Sequence, residues 1–482
     1  MREEVGCISA VLKDTEEASM RSPMTQEERY IKMTETPISR LIPSLAIPTI
    51  ISMLVTSIYN MADTFFVSRI STSASAAVGV SYSLMAMIQA LGFTLGMGSG
   101  NYLSRVLGSR DEEKAERIAS TGFYTAIFVG LVFAAVCLPN LDLLVRLLGA
   151  TDTIAPYAKD YAKYILMAAP VMTGALSMNN LLRFQGLAVY SMIGITTGGI
   201  LNMILDPIFI FGFDMGVQGA ALATVLSQAI SAVWAIRFLS GKDTVLKLKK
   251  ENFKIKKEIM LPCIGLGAAP FIMQSTESIL VLCFNSSLLK YGGDLAVGAM
   301  TILSSVMQFA MLPLQGLTQG GQPIISYNFG ANNAERVRKG FRFLLLSAVV
   351  YAAGIWAVSE LAPGVFVTIF TNDPQLAEFA KWAMRIYMAA VVLMGAQIAC
   401  QQTFIAFGNS KISAFLAMFR KIIVLIPLIY ILPVFLEDHV QAVFLAEPIA
   451  DVIAVVTTLL LFRKNFKKVL SEMKQKSETQ DV

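Results

Sequence analysis

Residues 187–212 read LAVYSMIGITTGGILNMILDPIFIFG, and Asp206 is the single acidic or basic side chain among them. A segment this long and apolar matches the hydrocarbon core of a bilayer, about 30 Å thick and crossed by about 20 helical residues. In lipid it must be a helix, because an open backbone would leave N–H and C=O groups without partners. The stretch therefore reads as a transmembrane helix that carries one carboxylate. That pairing sets both the fold and the search for a function.

Eleven further segments of the same kind lie outward from it, giving twelve at approximately 41–68, 74–104, 118–139, 157–182, 187–212, 217–239, 259–289, 293–327, 337–361, 377–407, 412–436 and 440–462. Prolines inside several of them (Pro48, Pro170, Pro207, Pro270, Pro313, Pro427) mark bends that membrane helices tolerate. Composition agrees: 55% of residues are hydrophobic and 15% charged, with mean hydropathy +0.61, against roughly 25% charged in soluble domains. A soluble enzyme, a secreted disulfide scaffold and a nucleic-acid binder are excluded. Cys7, Cys137, Cys263, Cys283 and Cys400 are scattered with no CxxC pair, and His439 is the sole histidine, so an HExxH zinc site is impossible. No GxxxxGK[ST] loop is present, so the chain does not hydrolyse ATP for itself.

Lys and Arg set the expected orientation. One side collects the N-terminal tail, Arg105, Arg110, Lys114, Arg117, Arg183, the stretch Lys242 to Lys257, Arg336, Arg338, Lys339, Arg342, Lys411 and Arg463 to Lys468. The other offers little beyond Arg69, Arg146, Lys159, Lys163, Lys290 and Lys381. The bias predicts both termini in the cytoplasm. The expected organisation is a flexible cytoplasmic tail over 1–37, a six-helix bundle over 38–240, a basic linker over 241–258, a second six-helix bundle over 259–463 and a tail over 464–482.

The two bundles repeat one another. Ala77-Val78-Gly79 recurs as Ala296-Val297-Gly298, Gln89 as Gln308, and Ala115-Glu116-Arg117 as Ala334-Glu335-Arg336, all at a shift of 219. Met167-Ala168-Ala169 recurs as Met388-Ala389-Ala390 at 221, and Leu205-x-Pro207 as Leu425-x-Pro427 at 220. An even number of spans per copy gives the copies the same topology, related by an axis along the membrane normal. Parallel repeats around a central cleft are a transporter design.

Carboxylates in the bilayer cost about 2.5–3.5 kcal/mol each on insertion scales, so each needs a reason. Asp63 in span 1, Asp206 in span 5 and Thr224 in span 6 fall at similar depth, about 7–11 Å below the outer face at about 1.5 Å per residue. Asn202 stands one turn before Asp206, and Tyr59 one turn before Asp63. Two carboxylates, an amide oxygen and a hydroxyl suit a small hard cation. They equally suit a proton site, because desolvation and a like-charged neighbour both disfavour the ionised carboxylate. The plainer reading is that these groups only hydrogen-bond between helices. Glu277 lies near mid-membrane in span 7 beside Gln274. Glu447 and Asp451, one turn apart in span 12, are placed to pair with Arg420 or Lys421. Gly92, Gly96 and Gly100 form a packing face in span 2. The 25 methionines suit a pliable apolar pocket, with core filling as the plainer role.

With these residues in view, the sequence resembles the multidrug and toxic compound extrusion (MATE) family, in its MepA-type branch near the DinF group. The carriers are Pro43-x4-Pro48 with Tyr59-Asn60-Met61-Ala62-Asp63, Ala77-Val78-Gly79, Asn202-Met-Ile-Leu-Asp206-Pro207-Ile-Phe-Ile-Phe-Gly212, and Gly219-Ala220-Ala221 with Thr224. The resemblance implies a multi-pass protein of the bacterial cell membrane, a monomer without resident cofactor, exporting cationic or neutral drugs and dyes against H⁺ or Na⁺. It implies cation coupling through Asp63, Asn202, Asp206 and Thr224 with the Ala220 carbonyl, Asp63 and Asp206 being the metal ligands if the ion is Na⁺. It places Tyr59 and Asn179 in the substrate cavity, to which Gln274, Glu277 and Gln308 add candidates from the second half. The aspartate that some members carry in span 10 is missing from 386–407. A lipid-linked oligosaccharide flippase is the alternative, and it would want Arg or Lys in the cleft-lining spans 1, 2, 7 and 8, which have essentially none.

Overall fold

The computed structural model describes residues 25–239 and 257–480. Among them ten helices are long and apolar enough to cross a membrane. The longest, Lys257–Gly330, has 74 residues and would be about 110 Å long if straight. It instead breaks at Gly293 (φ 63°, ψ −159°), a conformation that glycine adopts without a Cβ clash, and so supplies spans 7 and 8. Pro374–Tyr387 and Val391–Ala406, bent by 49° across a short break, together form span 10. Twelve spans result, as the sequence predicts.

The remaining spans are Ile38–Ser68 (1), Thr72–Gly108 (2), Glu112–Cys137 (3), Ala155–Phe184 (4), Ala188–Gly212 (5), Gly216–Leu239 (6), Ala334–Leu361 (9), Ser410–Phe435 (11) and His439–Gln480 (12). Polar side chains start several of them: Ser71, Asp111, Asn333 and Asn409 each accept a hydrogen bond from a backbone N–H in the first turn. Inside span 1, Thr49 and Ser52 donate to the carbonyls of Leu45 and Pro48 at 2.7 and 2.8 Å, so buried hydroxyls next to the proline stay satisfied. Spans 5 and 11 each contain a wider π-helical turn, Ile208–Gly212 and Phe419–Leu425.

Two differences from expectation concern the tails. Residues 26–35 form a helix with a Thr25–Glu28 capping box, and its Arg29, Met33 and Thr34 are buried. Its charged composition conceals a docked face, because its partners lie far away in the chain. Span 12 runs on as helix beyond 463, and Met473 is buried against Ile325, Val337 and Phe407. The expected linker lies outside the described residues except for Lys257 and Glu258.

The halves meet at one end, here called basal, where spans 1 and 7 begin. Cross-half bonds there include Ser104 Oγ donating to the Pro323 carbonyl (3.0 Å), Ser326 Oγ to Asn101 (3.0 Å) and Arg183 to Gln319 (3.0 Å). Backbones touch through glycine: a Cβ on Gly108 would lie 2.0 Å from the Tyr327 carbonyl oxygen, and one on Gly330 would lie 1.8 Å from that of Arg105. These contacts are twofold mates at a shift of 222. So are the left-handed residues Arg110 and Asn332 and the helix caps Asp111 and Asn333. The Ala-Glu-Arg match at 219 is thus nearly one turn out of the structural register at this end, because cap and close-packing geometry, not tripeptide identity, align the copies.

Candidate functional site

Span 5 approaches its neighbours closely because of two glycines. A Cβ on Gly198 would sit 3.2 Å from the Ser227 carbonyl of span 6, and one on Gly199 would sit 2.8 Å from Val55 of span 1. The approach brings spans 1, 4, 5 and 6 together around the two buried carboxylates. Asp63 Oδ2 accepts from the Tyr161 hydroxyl at 3.0 Å. Tyr161, fully buried in span 4, also faces Thr224. Asn202 Nδ2 donates to Asp206 Oδ1 at 3.2 Å and to Thr224 Oγ1 at 3.3 Å. The chain Asp63–Tyr161–Thr224–Asn202–Asp206 therefore joins the two acids through neutral polar groups, with no Lys or Arg in it. Asp63 Oδ1, Asn202 Oδ1 and Asp206 Oδ2 are buried acceptors without a hydrogen-bond partner. Such an acceptor-rich network has the chemistry to take up a proton or a small hard cation.

The structure brings together the predicted set Asp63, Asn202, Asp206 and Thr224, and buries Ala220 one turn from Thr224 in span 6. A cavity of about 170 Å³ between spans 1 and 2 reaches Asp63 and is lined also by Asn60, Thr64, Gly79, Tyr82 and Met85. Tyr59 is buried and accepts from Gln228 Nε2 at 3.3 Å. Asn179 is buried beside the Gly194–Trp234 contact. Gln274 and Gln308 stand apart from the network on spans 7 and 8, half-buried and exposed respectively. Sequence reasoning missed Tyr161: a tyrosine in an apolar span reads as core, and only its partner 98 residues earlier gives it away.

The second half carries a different cluster. Arg420 donates from Nε to Asp451 and from Nη2 to Glu447, both at 2.7 Å. Lys421 donates to the Met273 carbonyl at 2.8 Å and pairs with the Glu277 carboxylate. The π-helical turn Phe419–Leu425 holds both bases, and these neighbours serve different helices, span 12 and span 7. The acids of span 12 thus pair with Arg420, as their spacing suggests. Glu277, the candidate for the substrate cavity from this half, is salt-bridged to Lys421 with 61% of its side chain exposed.

Three comparisons bear on this architecture. The MatE family model matches residues 48–208 and 270–431, once in each half. The multidrug export protein MepA of Staphylococcus aureus strain NCTC 8325 is 28% identical over 440 residues, 90% of this chain and 97% of its own length. MepA of Staphylococcus haemolyticus strain JCSC1435 is 28% identical over 408 residues, 84% and 90% of the two chains. Among solved structures, one described as MATE in the bent conformation superposes with a TM-score of 0.88 at 25% identity, covering 92% of this chain and 99% of that one. Another, described as the outward-facing conformation of a multidrug resistance MATE family transporter of the MOP superfamily, gives 0.86 at 25% identity, covering 91% and 98%. With a family match in each six-span half and the whole fold shared, the chain belongs to the MatE family of membrane transporters and is not an enzyme.

Proposed function

We propose that this protein exports cationic or neutral amphipathic drugs and dyes in exchange for H⁺ or Na⁺. The observation that carries the reading is the pair of buried carboxylates, Asp63 and Asp206, joined through Tyr161, Thr224 and Asn202 with no basic side chain among the described residues paired to them. The names of the MepA relatives support multidrug export. The distribution of Lys and Arg supports cytoplasmic termini in a bacterial cell membrane, with the basal end facing inward. The working unit is a monomer of two bundles, 38–240 and 259–463.

The joined basal end and the two-bundle plan support alternating access. Closed at the basal end, the halves admit the coupling ion from outside. Loading Asp63 and Asp206 removes two like charges from a low-dielectric site and lets spans 1, 4, 5 and 6 repack. Tyr59 and Asn179 line the drug's path in this half, and the repacking expels the drug. The ion acts only as far as it binds one state better than the other, and each 1.4 kcal/mol of that difference is worth about tenfold in population. A flippase for pyrophosphate-linked lipids would need free positive charge in the cleft. Arg420 and Lys421 are matched by three acids, which speaks against it.

The test is efflux of a cationic dye from cells stripped of their own pumps, with Asp63→Asn and Asp206→Asn at matched membrane levels. Loss of efflux in both variants supports the reading, and imposed Na⁺ and pH gradients in vesicles then identify the ion. Equal pumping by both variants removes these carboxylates from the coupling step.

A further inference from the structure

The charge cluster of the second half holds three acids and two bases. Glu447 and Asp451, with side chains 7% and 0% exposed, both bind Arg420 and are shut away from solvent. Glu277 is left with Lys421 alone. The two ends of this last pair differ sharply: the Glu277 side chain is 61% exposed and that of Lys421 is 6% exposed. Span 7 packs on span 2 of the other half through Gly267 and Thr94, ten residues before Glu277, and a carboxylate at mid-membrane is tolerated toward water and not toward lipid, which argues that the exposed side of Glu277 is turned to the space between the halves. A solute in the cleft meets the carboxylate first. Lys421, behind it, keeps a second acceptor in the Met273 carbonyl at 2.8 Å.

We infer that Lys421 is a tethered counter-cation that occupies Glu277 between transport cycles and is displaced from it by the positive group of an amphipathic monocation. The inference rests on the export reading above and assigns it a specificity determinant. Exchanging one ammonium-like group for another at Glu277 leaves the local charge count unchanged, so the Coulombic gain largely cancels. What remains in the substrate's favour is its apolar surface, worth about 25 cal/mol per Å² buried. A small hydrated ion such as Na⁺ or choline has no such surplus and does not displace Lys421. A neutral compound leaves the pair intact and binds beside it. After release, Lys421 closes again on Glu277, and the emptied cleft does not carry a bare carboxylate through the return step. Lys421 acts through Glu277, so it is a positioning residue and not itself a substrate contact.

The experiment measures equilibrium binding of tetraphenylphosphonium and of the neutral dye Nile red to the purified full-length protein in detergent. Wild type is compared with Lys421→Met, Lys421→Arg and Glu277→Gln. Removing the tethered competitor should tighten tetraphenylphosphonium about tenfold in Lys421→Met and leave Nile red within about twofold. Lys421→Arg should resemble wild type, and Glu277→Gln should weaken the cation alone. Unchanged or weaker cation binding in Lys421→Met, with wild type binding and exporting the cation, overturns this inference and leaves the export reading standing. Wild type that neither binds nor exports either probe overturns both. Lys421→Gln gives the same contrast if the methionine variant does not reach the membrane.

Discussion

Where Tyr161 meets Asp63 and Thr224 in the first half, the second half has Trp382 packed edge-on against Phe444, ring centroids 6.2 Å apart. Trp382 is the counterpart of Tyr161 at the shift of 221. At 220, Asn202 and Asp206 become Ile422 and Ile426. One backbone plan thus carries a polar, uncompensated acid pair on one side and an apolar aromatic plug at the same place on the other. The charges of the second half sit elsewhere and are paired. A repeated fold fixes where helices cross, and the chemistry at each crossing is free to diverge. The first half holds its two acids without a cation, whereas in the second three acids share two bases.

That contrast is most exposed to mutation at Arg420. Arg420→Met leaves Glu447 and Asp451 buried without a cation and should lower stability by about 3–5 kcal/mol, read by thermal unfolding in detergent. Adding Glu447→Gln and Asp451→Asn should recover most of the loss; no recovery would mean that Arg420 matters through packing instead. In the first half, removing a charge should spare stability and abolish work. Asp63→Asn and Asp206→Asn each forfeit a charged interaction worth about 1.5–3 kcal/mol, so dye efflux should fall about 10–100-fold while the folded protein persists. A large drop in unfolding temperature instead would make these acids structural.

Smaller effects probe the symmetry itself. Gly108→Ala and Gly330→Ala each push a methyl group into a carbonyl of the opposite half, and overpacking of this kind costs about 1–3 kcal/mol. Both should weaken basal closure equally, measured by cross-linking of cysteine pairs placed across the two halves, while Gly354→Ala, with open space around it, should do nothing. Unequal effects of the two mates would show that basal closure is not symmetric. Tyr161→Phe removes one hydrogen bond to Asp63 and should cost about 1 kcal/mol, read as a severalfold loss of efflux.

Much of this was legible in the sequence. Twelve apolar blocks gave twelve spans, and equal depth within spans 1, 5 and 6 brought Asp63, Asp206 and Thr224 into one list. Asn202 followed from helical periodicity. What stayed hidden depended on contacts between distant segments. Tyr161 looks like any core aromatic until Asp63 is beside it. The pairing of Glu277 has no local sign, because nothing near it in sequence says that Lys421, 144 residues later, turns inward at a π-helical turn. The helix at 26–35 was unreadable as a docked element because its polar face is common to any solvated helix, and its anchors are Gln185, Tyr327 and Arg336.

That helix has a kinematic consequence. By covalent order it leads into span 1 and belongs to the first half. Its bonds there are side-chain ones: Arg29 to Gln185 at 3.5 Å, and Arg110 stacked over Tyr30 and paired with the exposed Glu27. To the second half it is fastened through its own backbone, with Asn328 and Arg336 donating to the Met33 carbonyl and Arg336 also to that of Thr36 at 2.7 Å. The helix is thus held by both halves, and Met33 also packs among Leu103, Leu181 and Leu182 of the first, so the basal end cannot part without breaking one set of these contacts. Between Thr36 and Ile38, the first residue of span 1, only Pro37 intervenes, so a helix held to the second half would have to turn about that single residue.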